Sequence, residues 1–310
     1  MAFNKNFEFL YQKLLSDKTK RKSEQIILVI AIASFIIHLV IIYLVDFGII
    51  FPNTNSDLLK NPIAAIYTPF SFILVYEVYL LIHYLPQSIT TYISKQYEII
   101  SLIIIRRLFK DLSTLSLSSD WFKIKYDLQF TYDLAASVIL FFLIYQFNVH
   151  GKKKYRTGIS DELQTQRMAS FIKIKKILAT ALVPVLIFVA LYSFINWCAA
   201  TVNTGAHTDL SFKNINNIFF DQFFTILIIV DVILLLFSFF HTDEFHKVIR
   251  NSGFIISTIL IRLSFSVSGL LNNVLIMSAI IFGLVILIIH NKFEKYVASE
   301  KSKTDPTIKL

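Results

Sequence analysis

Residues 253–289 read GFIISTILIRLSFSVSGLLNNVLIMSAIIFGLVILII and contain a single charged side chain, Arg262. A helix needs about 20 apolar residues to cross the hydrocarbon core of a bilayer, so this stretch is too long for one crossing. Its centre, from Ser264 to Asn273, is rich in Ser, Gly and Asn, residues that favour tight turns. The stretch therefore predicts two crossings, at 253–266 and 271–289, joined by a turn.

Five further apolar runs have the length of a membrane-spanning helix, at 26–44, 62–85, 128–147, 177–196 and 219–239. Each backbone N–H and C=O group in lipid must be hydrogen-bonded within the chain, which favours helices. The composition agrees, because 55% of the residues are hydrophobic and 16% are charged, against about 25% charged in soluble proteins. The sequence predicts an all-α, polytopic membrane protein.

One additional element, 97–109, is short and ends in Arg106 and Arg107, and the distribution of charge decides whether it crosses. Segments 1–25 and 148–176 carry six and eight Lys or Arg residues, as cytoplasmic segments do. Both lie on the cytoplasmic side only if 97–109 also crosses. This gives eight transmembrane helices with both termini cytoplasmic, at the cost of placing Lys110, Lys123 and Lys125 outside.

The net charge of +9 and the N-terminal segment help to predict the partners of the protein and the membrane in which it lies. The lysines lie beside apolar runs, which predicts membrane orientation and no nucleic-acid partner. No small-residue cleavage site follows the first apolar run, so we expect it to remain as the first crossing of a plasma or inner membrane protein.

The two halves of the chain are similar to each other. Residues 98–109 (EIISLIIIRRLF) match residues 254–265 (FIISTILIRLSF) at seven of twelve positions. This predicts two tandem four-helix repeats of the same orientation, with chance similarity between apolar helices as the alternative. The predicted organisation is a cytoplasmic segment, a first repeat, a basic linker, a second repeat and a cytoplasmic tail, at 1–25, 26–147, 148–176, 177–290 and 291–310.

Ionisable residues inside these apolar runs are the candidate site. Counted from the predicted cytoplasmic helix ends, Glu77 and Arg106 lie at similar depths of about 12 and 14 Å. Asp231 and Arg262 repeat this arrangement in the second half. Intramembrane charges are costly and face partners in the protein interior, which predicts the pairs Glu77–Arg106 and Asp231–Arg262.

Two interpretations of these charges stay open. The pairs are either structural, fixing helix register, or the carboxylates line a path for ions or protons. A further acid, Asp133, either pairs with Arg107 or faces water at its helix end.

Cofactor and enzyme chemistry find little support in the sequence. The only cysteine, Cys198, excludes a Cys-based metal site or an internal disulfide. His38 alone lies deep in a predicted crossing, and His241 and His246 are not spaced for one helical face. The sequence also contains no motif typical of a soluble enzyme. We therefore predict that the protein binds no cofactor and no metal.

Glu77-Val-Tyr-Leu-Leu-Ile, followed by Lys95-Gln-Tyr-Glu98-Ile-Ile, resembles the second and third helices of voltage-sensor-type four-helix domains. The resemblance places Glu77 and Glu98 at that family's acidic positions and implies a four-helix bundle. The chain departs from the family in its fourth helix, because 128–147 contains no Arg or Lys where the family has an arginine ladder. In the second half Phe254 replaces the second acid.

Two functions follow from these features. The first is an ion-handling membrane protein, channel-like or transporter-like, whose partners are the lipid bilayer and ions or protons. The second is a non-conducting scaffold or signalling subunit, which acts through a homo-oligomer or a partner protein.

Overall fold

The fold is described by a computed structural model for residues 2–49, 62–112, 125–153, 162–203, 212–241, 244–267 and 269–304. Helix accounts for 93% of this part of the chain, and no strand occurs in it, which confirms the all-α class. The helices in these ranges are α1 Ala2–Leu15, α2 Asp17–Asp46, α3 Tyr67–Tyr84, α4 Ile89–Leu112, α5 Lys125–Gly151, α6 Glu162–Asn203, α7 Phe212–His241, α8 Phe245–Ser264 and α9 Leu270–Thr304. A short 3-10 helix, Pro62–Ile66, precedes α3.

Several helices have the length and composition of membrane-spanning segments. Five such segments occur within the described residues, at Phe7–Asp46, Leu128–Gly151, Met168–Tyr192, Gln222–Phe240 and Leu270–Glu300. A shorter apolar helix covers Thr68–Tyr84. Each of the eight predicted crossings overlaps one of the helices α2 to α9, and the crossing predicted at 62–85 also includes the 3-10 helix Pro62–Ile66. The count of eight crossings itself stays a prediction.

The turn predicted within residues 253–289 is confirmed. Helix α8 ends at Ser264 and α9 begins at Leu270. Gly269 adopts a φ of 77°, which a residue without a Cβ reaches at little cost. The Asn272 side-chain amide donates to the Ser264 carbonyl at 2.5 Å, which satisfies one of the carbonyls at the end of α8.

Several predicted helix boundaries are corrected. The element predicted at 97–109 is a helix of 24 residues that begins at Ile89, one turn after α3. Helix α6 has 42 residues and starts within the predicted linker 148–176. Helix α9 has 35 residues and continues into the predicted tail 291–310. Polar helix ends extend beyond an apolar run, so hydropathy alone underestimates their length.

The N-terminal segment 1–25 contains a helix that was not predicted. Helix α1 is followed directly by Ser16, whose hydroxyl accepts a hydrogen bond from the Thr19 amide at 3.2 Å and caps α2. The capping serine is a local signal for a helix start. Helix α2 therefore begins at Asp17, well before the apolar run at 26–44.

Two compact units divide the chain. The first comprises 1–83, 102–133 and 177–226, and the second comprises 84–101, 134–176 and 227–310. Each unit contains segments of both predicted four-helix repeats, so the units do not follow the predicted repeat boundary. The tandem repeat stays a prediction. Residues 50–61, 113–124 and 204–211 lie outside the described residues, as do residues 154–161 of the predicted linker and the side chain of Cys198.

Candidate functional site

A buried carboxylate, Asp231 on α7, is the centre of a polar cluster in the second unit. Its side chain is 1% exposed. The Tyr92 hydroxyl donates to Asp231 Oδ1 at 2.9 Å, and the Gln96 side-chain amide donates to Oδ2 at 3.2 Å. Tyr92 and Gln96 are four residues apart on α4, so they lie on one face of that helix. Both carboxylate oxygens are thus held by neutral donors.

A cation lies near this carboxylate. Lys175 on α6 is buried and interacts electrostatically with Asp231. Its ammonium group donates directly to the Gln87 carbonyl, in the turn between α3 and α4, at 2.8 Å. The Lys175 ammonium is therefore hydrogen-bonded to a backbone carbonyl, whereas the Asp231 carboxylate accepts its hydrogen bonds from Tyr92 and Gln96. Segments of α4, α6 and α7 meet at this cluster.

The predicted pair of Asp231 with Arg262 is not formed. Within the described residues, Asp231 interacts with Tyr92, Gln96 and Lys175, and Arg262 is not among its partners. The prediction counted depth from Gly253, whereas α8 begins at Phe245. Arg262 therefore lies 17 residues along α8, about 26 Å, and Asp231 lies 10 residues from the end of α7, about 15 Å. Counted from these helix ends, the two charges are not at matched distances along their helices.

The predicted pair of Glu77 with Arg106 is an electrostatic interaction in the first unit. Glu77 on α3 is buried, and Arg106 on α4 is the charged group that acts on it. Within the described part of the chain, Glu77 forms no ion pair or hydrogen bond at contact distance. The charge of Arg106 thus acts on Glu77, but the close ion pair predicted for the two residues is not formed within the described residues.

A direct ion pair in the first unit joins Arg107 on α4 to Asp133 on α5. The Arg107 Nε donates to Asp133 Oδ2, and Nη2 donates to Oδ1 at 2.9 Å. Asp133 is fully buried and also accepts from the Gln129 amide at 2.7 Å. This two-bond geometry is the strong form of an Arg–carboxylate pair. Of the two alternatives for Asp133, pairing with Arg107 is confirmed.

Glu98, the remaining predicted acid, belongs to a partly exposed group on α4. It accepts from Lys95 Nζ at 2.6 Å and from the Asn148 amide at 3.4 Å. Both side chains of the Lys95–Glu98 pair are about one-third exposed. Ser94 also donates to Asn148, so this group ties α4 to the end of α5.

A close approach of α4, α8 and α9 lies within the same unit as Asp231. The Tyr97 hydroxyl is 2.7 Å from Ser257 Oγ, and Ser257 donates to the Ala279 carbonyl at 2.6 Å. A Cβ built on Gly283 would lie 2.0 Å from the Tyr97 oxygen. Because only glycine leaves room for that hydroxyl, Gly283 allows the helices to approach closely.

We expect Gly283→Ala to destabilise the protein by about 1–3 kcal/mol, as overpacking of a filled core does. Without a clash, alanine would stabilise the helix relative to glycine by about 1 kcal/mol. A loss of stability in Gly283→Ala would therefore come from the contact between the new Cβ and the Tyr97 hydroxyl. Thermal unfolding in detergent measures it. In a Tyr97→Phe background, which removes the hydroxyl, the cost of Gly283→Ala should fall. Equal cost in both backgrounds would contradict this packing.

Sequence reasoning missed Tyr92 and Gln96. It placed the start of the helix at Tyr97, which left residues 89–96 in a loop. The four-residue spacing of two polar side chains beside an apolar run was the available signal. Their partner lies 139 and 135 positions away along the chain, and no local pattern reports such a contact.

The Asp231 cluster has the parts of a site for protons or small cations. A carboxylate buried in an apolar helix bundle is costly and commonly marks an ion or proton pathway. Neutral donors leave its charge only partly balanced, unlike the Arg107–Asp133 pair, in which a guanidinium covers both oxygens. Asp231 is therefore the better candidate for exchange, and Asp133 is the better candidate for a structural role.

No protein-family model matches the sequence, and neither a curated protein nor a solved structure is significantly similar to it.

Proposed function

We propose that the chain is a multi-pass membrane protein that handles protons or small cations, as a channel or transporter, at Asp231. The observation that carries the proposal is the burial of this carboxylate against Tyr92 and Gln96, with the Lys175 charge held separately on Gln87. Such a group can release and rebind a cation without breaking a salt bridge.

Embedding in a plasma or inner membrane, with eight crossings and both termini cytoplasmic, is part of this proposal. Large apolar side chains are exposed on helices that the sequence predicts to cross, including Val29, Val138, Phe141, Phe188 and Ile281. A soluble monomer rarely exposes large apolar side chains along so many helices, whereas lipid covers them. The basic residues of segments 1–25 and 148–176 favour a cytoplasmic position for both segments.

The second candidate function is a non-conducting scaffold or signalling subunit. The Arg107–Asp133 pair favours it, because a buried, fully paired charge fixes helix register rather than moving ions. If all intramembrane charges act in this way, the protein works through a partner or a second copy.

Reconstitution into liposomes separates the two functions. The ion-handling proposal predicts a proton or cation flux, driven by an imposed pH or cation gradient, that exceeds the leak of protein-free liposomes. Protons, Na⁺ and K⁺ are tested separately with fluorescent reporters. Flux equal to the protein-free leak for all three, from a protein that is folded and inserted, would favour the scaffold.

A further inference from the structure

Two histidines and a glutamate come together where the start of α8 meets α9. His246 lies in the first turn of α8, and His290 and Glu294 lie one turn apart on α9. Their ligand atoms all lie within 4.8 Å of one another. The turn at Gly269 brings them together, since His246 and His290 are at similar distances along the chain from it. The sequence did not predict this cluster, because its members belong to different helices.

The separations of these atoms fit a metal ion. His246 Nε2 is 3.1 Å from Glu294 Oε1, and His290 Nε2 is 3.7 Å from the same oxygen. Ligands at about 2.0–2.1 Å from a tetrahedral Zn²⁺ lie about 3.4 Å from one another. An additional carboxylate oxygen, Glu244 Oε2, is 3.3 Å from His246 Nε2. Two imidazoles with one or two carboxylates form a familiar ligand set for zinc.

The cluster is reachable and its ligands are positioned by neighbours. The side chains of His246 and Glu294 are 12% and 14% exposed, so the cluster borders solvent. Lys247 Nζ binds Glu244 Oε1 at 2.9 Å, which leaves Oε2 directed to His246. Hydrogen bonds of this kind to a ligand carboxylate orient it towards a metal.

Arg250 competes for the same groups. Its Nη1 lies 2.9 Å from His290 Nε2, while Nε and Nη2 bind the Asn251 side-chain oxygen. The Glu294 and Glu244 carboxylates also interact electrostatically with the Arg250 guanidinium. Because the guanidinium only donates, His290 holds its proton on Nδ1 and presents a lone pair at Nε2, the form that binds metals. A metal ion must displace this one contact, and Arg250 keeps its bonds to Asn251.

We propose that His246, His290 and Glu294, with Glu244 as a fourth ligand, bind a divalent transition-metal ion of the zinc type, in competition with Arg250. Imidazole and carboxylate ligands without a thiolate suit Zn²⁺ and Co²⁺. The site lies between the start of α8 and the middle of α9, shares no ligand with the Asp231 cluster, and does not depend on ion flux.

Titration of the purified full-length protein with Co²⁺, followed by displacement with Zn²⁺, tests this proposal. Any polyhistidine tag is removed beforehand. We expect one Co²⁺ per chain, a visible absorption band typical of four or five ligands, and a rise in unfolding temperature with Zn²⁺. His246→Ala and His290→Ala should each weaken binding at least tenfold. His150→Ala is the matched control, because the His150 ring lies at a helix end and bonds to the Gln146 carbonyl of its own helix, and the backbone contact of His150 with Asn291 survives the substitution. This variant should bind as the wild type does.

The competition supplies a second test that a loss of folding cannot imitate. Arg250→Gln removes a positive charge and a competing donor, so this variant should bind Zn²⁺ several-fold more tightly than the wild type. Glu294→Gln, which retains the shape of the side chain, should lose the Zn²⁺-induced rise in unfolding temperature. Binding that is unchanged in the histidine variants, absent in the wild type, or weakened by Arg250→Gln would overturn the proposal.

Discussion

Asp231→Asn is expected to abolish ion flux in liposomes while the protein still folds and inserts. Asparagine keeps the size of the side chain and one oxygen acceptor for the Tyr92 hydroxyl. Gln96 can turn its amide and accept from the new NH₂ group, so both hydrogen bonds survive. What disappears is the negative charge and the capacity to exchange a proton or cation. Flux assays on liposomes with equal protein content measure the loss.

The matched control for this substitution is Asp46→Asn, which removes a carboxylate that is exposed at the end of α2. It should retain the flux of the wild type. Tyr92→Phe, which removes one donor and leaves the carboxylate, should alter the rate or ion preference without abolishing flux. Full flux in a correctly folded Asp231→Asn protein would remove Asp231 from the pathway.

Breaking the Arg107–Asp133 pair is expected to have the largest effect on stability. Arg107→Gln removes the compensating positive charge and both guanidinium hydrogen bonds from the fully buried Asp133 carboxylate. Removal of one partner of a buried pair costs about 3–5 kcal/mol in soluble proteins. The double substitution Arg107→Gln with Asp133→Asn removes both charges and should restore much of that loss. Thermal and denaturant unfolding in detergent give the three values.

Glu98→Gln is the control for this cycle. It breaks the Lys95–Glu98 pair, which lies on the same helix but is about one-third exposed. Exposed pairs contribute about 0.2–1 kcal/mol, so the loss should be small. If Glu98→Gln costs as much as Arg107→Gln, or if the double substitution restores nothing, the buried pair does not stabilise the fold in the way described.

Helix content and the α8–α9 turn were predictable because their signals are local. The Ser264–Asn273 segment combines turn-forming residues with apolar runs on both sides, and the turn lies within it. The start of α4 was misplaced by eight residues, because Ile89–Gln96 is too polar to read as part of a crossing. That single error hid Tyr92 and Gln96.

An ion pair could be predicted only where the two helices that carry the charges are consecutive in the sequence and also pack against each other. Arg107 and Asp133 lie on consecutive helices, and their contact was among the expected alternatives. The hydrogen-bond donors to Asp231 come from α4, more than 130 positions away. The helices that pack against α7 are decided by tertiary packing, which hydropathy and depth counting do not encode.

The central claim is that the chain crosses a membrane eight times with both termini on one side. Single cysteines introduced into a Cys198→Ser background test it through a membrane-impermeant thiol reagent on intact and permeabilised cells. We predict labelling from outside at Thr54, Ser118 and Thr204, and from inside at Lys153 and Lys303. Ser118 is decisive, because its side is set by whether α4 crosses. Labelling of Ser118 from the cytoplasm, or of Lys303 from outside, would contradict the eight-crossing topology.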